Sequence, residues 1–110
     1  LKLTRAYSPY TIEAARLLGT RISQARRERR WSMQELADRA GITPFTLRKV
    51  ERGDLTVGLG VAFEVAALTG VPLFHEDSSR LTIDLDRARD RLAQLPERVR
   101  TRREDVKGDF

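Results

Sequence analysis

Cysteine is absent and histidine occurs once, at His75. Without thiols there is no disulfide framework and no thiolate metal site, and a single imidazole supplies neither a zinc cluster nor a histidine-based triad. No cofactor is therefore expected. The carboxylates form no pair suited to acid–base work and no nucleophile has a base beside it, so an enzyme is not expected either. Aromatic residues are scarce, at 6%, against 34% charged and 40% hydrophobic, which fits a small helical protein with solvated faces and a modest core. No internal repeat or low-complexity tract is present. The first residues lack the apolar core of a secretory signal, and a reducing cytoplasm, close to the nucleoid, is the expected compartment.

Only one long apolar run exists, LTVGLGVAFEVAALTGVPLF at residues 55–74, about long enough to span a bilayer. Glu64 near its centre, Pro72, three glycines and the lack of a basic flank oppose that reading. A buried helix followed by a short extended piece fits better, and no membrane partner is expected.

What is abundant is positive charge, with a net charge of +5 and a pI near 10.4. It is unevenly spread: residues 1–31 carry eight cations and two anions, residues 54–79 no cation and four anions. A polyanionic partner would meet the first half of the chain. At 110 residues the chain fits one domain with a tail.

Local signals divide the chain into helices. Ser8 and Pro9 read as N-cap and first helical residue, and Ile12, Ala15, Leu18, Ile22 and Ala25 follow at helical spacing to about Arg29. Ser32 with Glu35 makes a capping box for a second helix that stops at Gly41. Thr43 and Pro44 open a third, closed by Gly53. Thr56 is the expected cap of a fourth, through Val61, Val65 and Leu68 to Gly70. Residues 81–83, LTI, read as a short strand, and Asp84 as the start of a fifth helix whose stripe Leu85, Ala88, Leu92 and Leu95 ends before Pro96. Beyond Pro96 little can be buried.

The second and third helices are too short to stand alone, so a third body must cover their apolar faces. A positive φ at Gly41 lets them cross steeply, and small Ala37 allows close approach, with Ile42 and Leu47 filling the angle. On the third helix Leu47, Val50 and Glu51 share one face, while Phe45, Arg48, Lys49 and Arg52 share the other. A cationic helix presented by such a corner has the dimensions to enter a major groove.

Residues 18–74 resemble the Cro/repressor-type, or XRE, helix-turn-helix family. Leu18, Ile22, Arg26, Ser32, Glu35, Leu36, Ala37, Gly41, Ile42, Leu47, Glu51 and Gly53 all sit at its spacing. The resemblance implies an all-α, five-helix, lambda-repressor-like domain, with a short C-terminal helix and a basic flexible tail following. It implies an ion pair between Arg26 and Glu51 and structural roles for Ala37, Gly41 and Gly53. It also implies base contacts from Phe45, Arg48 and Lys49. Pro44 and Phe45 depart from a commonly polar pair, so the start of this helix is expected to meet a thymine methyl. Phosphate contacts are expected from Arg26, Arg27, Arg30, Thr43, Thr46 and Arg52, and from the helix start at Ser32, Met33 and Gln34. Met33 stands where the family usually has a glutamine.

The wider layout is similar to HipB-type antitoxins encoded beside HipA-like kinase toxins. That resemblance implies a homodimer on a palindromic double-stranded operator, with the kinase as partner and corepressor. The expected division is an N-terminal arm (1–8), the DNA-binding domain (9–75), a strand and helix extension for dimerisation (76–96) and a basic tail (97–110). Arg98, Arg100, Arg102, Arg103 and Phe110 of the tail are the expected partner contacts. A stand-alone or phage-type repressor is the alternative.

Overall fold

The first helix begins where Ser8 accepts a hydrogen bond from the Thr11 N–H at 3.3 Å and Pro9 takes the first helical position. The computed structural model describes residues 6–75 and 77–99, and all regular structure among them is helical. The elements are α1 (Pro9–Glu28), α2 (Met33–Ala40), α3 (Pro44–Glu51), α4 (Leu59–Thr69) and α5 (Ser78–Ala93). The all-α, five-helix expectation holds. The chain divides into two compact units, Leu1–Glu76 with α1 to α4 and Asp77–Phe110 with α5.

In the first unit all four helices stop in the same way. A left-handed residue, the cap itself in α2 and α4 and the residue after it in α1 and α3, lets two N–H groups reach back to the last carbonyls, as when Gly41 and Ile42 donate to Asp38 and Ala37. Gly41, Gly53 and Gly70 take this conformation freely, but at the end of α1 the position is held by Arg30, with φ 59°. The turns aim the helices so that Ile22, Leu36, Ala37, Leu47, Val50, Val65, Ala66 and Val71 meet in one buried core. Both α3 and α4 pack against α1 and α2.

Glycine allows the closest of these approaches. A Cβ on Gly19, inside α1, would lie 2.5 Å from the Val50 carbonyl oxygen and 2.6 Å from that of Glu51. A Cβ on Gly53 would meet the Arg16 backbone at 2.8 Å. The C-terminal turn of α3 therefore lies directly on α1.

Two expected boundaries are corrected. Thr56 does not cap α4, which starts at Leu59 behind Gly58 with no side-chain cap. The Asp54 carboxylate accepts from both the Thr56 hydroxyl and its N–H, the latter at 2.8 Å, and so holds Thr56 in the preceding turn. Residues 81–83 are not a strand but lie inside α5, which Asp77 caps through the Ser79 N–H at 3.0 Å. A strand of three residues needs a neighbour to satisfy its backbone, whereas a helix satisfies it locally. No helix among the described residues is long and apolar enough to cross a membrane. Residues 55–74 are a loop, α4 and its exit.

Candidate nucleic-acid interface

The geometry of α3 follows from its first and last turns. The Thr43 hydroxyl accepts from the Thr46 N–H at 3.1 Å and donates to the Thr46 hydroxyl at 3.1 Å, which leaves Thr46 half-buried. Leu47 and Val50 anchor the inner face. At the far end Arg26 Nε donates to Glu51 Oε2 at 2.7 Å, and Nη2 donates to Oε1 at 3.2 Å. The third nitrogen, Nη1, donates to the Trp31 carbonyl at 2.9 Å. This forked pair ties the last turn of α3 to the turn between α1 and α2.

The outer face of α3 presents Phe45, 64% exposed, together with Arg48 and Arg52. Lys49 is half-buried with its ammonium 5.9 Å from the Phe45 ring centroid, so the pair forms one amphipathic patch. Pro44 is half-buried and offers only part of its ring.

The arginine run at the end of α1 is sorted by the fold. Arg26 is 8% exposed and committed to Glu51, which removes it from the cations open to a phosphate. Arg29 lies 5.6 Å from the Trp31 ring centroid, and its guanidinium occupies the space where a Cβ on Gly70 would project. Arg27 and Arg30 remain exposed. Arg27, Arg48 and Arg52 come together around an open cleft between α1 and α3 that the Arg26–Glu51 pair also lines.

At the start of α2, Ser32 and Glu35 exchange the two capping hydrogen bonds, at 3.0 and 2.9 Å. Those bonds, first that from the Ser32 N–H, hold the Glu35 carboxyl below the usual glutamate value. Asp54 is likewise lowered, first by the Thr56 hydroxyl and then by its N–H. Met33 and Gln34 have no carbonyl one turn earlier to receive their N–H groups, so these point out of the helix start. The Met33 side chain packs against the core, and Gln34 Nε2 donates to Asp38 at 2.8 Å. Met33 thus offers only its backbone N–H to an anion, while Gln34, exposed, offers its backbone N–H and the second N–H of its amide.

A model of the helix-turn-helix family matches residues 22–75. The matched stretch contains α2, the left-handed turn at Gly41 and α3. No curated protein and no solved structure gives a significant match to the chain. Domains of that family are the DNA-binding parts of transcription regulators, and in them the second helix of the motif, to which α3 corresponds, is the one placed in the groove.

Two further residues of the first unit position α3 and the turn before α2. Trp31 is stacked between Arg39, 4.4 Å from its ring centroid, and Arg29, so it fixes the α1–α2 turn that receives Arg26. Gly19 gives α3 its seat. Gly19, Ile22 and Arg26 are the buried residues of α1, and their spacing of three and four was the available signal. Of the expected partner contacts Arg98 is exposed, while Arg100, Arg102, Arg103 and Phe110 lie outside the described residues.

Proposed function

We propose that this chain is a sequence-specific transcriptional repressor that binds a palindromic operator as a homodimer, with α3 of each copy in the major groove. The carrying observation is the outer face of α3, where Phe45 and Arg48 are exposed and Lys49 half-buried on a helix whose other side is buried in the core, an arrangement that suits contact with base edges. Arg48 is the residue best placed for a guanine, and Phe45 for a thymine methyl. Arg27, Arg30, Arg52, Thr43, Thr46 and the open N–H groups of α2 grip the flanking phosphates. Half-sites then lie about one helical turn, ~34 Å, apart.

The test is selection of binding duplexes from a random library, followed by titration of the recovered site at several salt concentrations. Arg48→Ala should cost about 1–3 kcal/mol on the selected site and little on unrelated DNA. Arg27→Ala should weaken both and reduce the slope of log K against log salt by about 0.9. Enrichment of no common site, or an Arg48→Ala protein as selective as the parent, would overturn the reading.

Within it, we place the chain as the antitoxin of a HipA-like kinase, supported by its resemblance in layout to HipB-type proteins. Co-expression with the adjacent gene product tests this. Retention through a high-salt wash, with tighter operator binding, supports the antitoxin, and no retention leaves the stand-alone repressor.

A further inference from the structure

No residue of helix α5 is buried. Yet the helical course of residues 81–83 places Leu81 in line with Leu85, Ala88 and Leu92, and Leu95 continues the spacing just past the helix end. Their spacing of four, three, four and three is that of heptad positions d, a, d, a and d. The four leucines are 45–68% exposed. A helix of 16 residues is marginal by itself, and one whose leucines all lie on one face needs that face covered.

The charges beside the seam identify the cover. Asp84 falls at a g position and Arg89 at an e position, on opposite flanks. When two copies of α5 run parallel and in register, Asp84 of each lies across from Arg89 of the other, so the helix complements itself twice. A parallel pair also sets Leu81, Leu85, Ala88 and Leu92 each against its own copy as four layers, with the two Leu95 side by side past the helix ends. An antiparallel pair would face Asp84 with Arg91 and leave either Leu81 or Leu95 without a counterpart.

We propose that α5 pairs with α5 of a second copy as a short parallel two-stranded coiled coil, and that this is the dimerisation element. The proposal rests on the homodimer reading above and assigns its seam. The narrow layer of the coil is Ala88 against Ala88.

Sedimentation of the full chain without DNA, over a range of concentration, tests it. The parent should dimerise. Leu92→Arg should raise the dissociation constant at least about tenfold, and Ala88→Leu, which fills the narrow layer, should lower it by a similar factor. Because Ala88→Leu strengthens the contact, its effect does not reduce to misfolding. Asp84→Arg should weaken the dimer, and adding Arg89→Asp to it should restore the parent value.

A chain that stays monomeric, or a dimer indifferent to both Leu92→Arg and Ala88→Leu, overturns the proposal. Rescue of Asp84→Arg by Arg91→Asp in place of Arg89→Asp overturns the parallel register. Binding of a single half-site, measured beside it, separates the readings. Leu92→Arg should keep parental half-site affinity, whereas failure of the parent on every duplex would sink the DNA reading and leave the dimer result standing.

Discussion

Leu47 and Leu92 occupy equivalent places in their helices, each on an apolar stripe with polar residues around it. Leu47 is 0% exposed and Leu92 is 68% exposed. The difference lies in what surrounds them. α3 is held by a cap, a left-handed exit and the Arg26–Glu51 pair against two other helices of its own unit, whereas α5 has no buried residue. An amphipathic stripe states that a face is to be covered, and leaves open which body covers it.

Substitutions can break or sharpen this contrast. Glu51→Ala leaves Arg26 buried without its partner and should cost about 3–5 kcal/mol, seen as a large drop in the denaturant midpoint of the first unit. Leu47→Ala should cost about 2–5 kcal/mol in the same measurement. Leu92→Ala should leave that transition within about 0.5 kcal/mol, which makes the contrast quantitative. A comparable loss from Leu92→Ala would show that the two units share one cooperative core. Gly19→Ala pushes a methyl into the Val50 and Glu51 carbonyls and should cost about 1–3 kcal/mol, with α3 displaced and operator affinity falling alongside stability.

The smallest effect is titration of the α2 cap. The folded Glu35 value lies below the ordinary one, so its contribution is fully present above the ordinary glutamate range and is lost as pH falls through the lower folded value. Glu35→Gln should therefore differ most from the parent near neutral pH, the two melting temperatures converging as pH falls below the ordinary glutamate range and through the lower folded value. Asp54 titrates with the same sign in both proteins.

Signals confined to a few residues were legible. Ser8 with Pro9, Ser32 with Glu35, Thr43 with Pro44, and the left-handed glycines at 41 and 53 all stand where the sequence placed them, since caps and exits depend on neighbours within one turn. The outward face of α3 was legible by periodicity. The Arg26–Glu51 pair spans 25 residues and was anticipated only through a family resemblance. Thr56 was misplaced because its hydroxyl, which as a cap would accept, instead donates with its N–H to Asp54 two residues earlier, and residues 81–83 because β-branched residues and a leucine in a short run do not distinguish strand from helix.

By itself the sequence determined where helices start and stop, which faces are apolar and that the first half is cationic. These follow from hydrogen bonds and side-chain order within a turn or two. Only the tertiary structure decided which arginines are available. Arg26 is turned inward by Glu51 and Arg29 is laid over Trp31 and the end of α4, while Arg27 joins Arg48 and Arg52 around one cleft. Charge is a property of residues, but its accessibility depends on partners distant in sequence that meet only when the core closes.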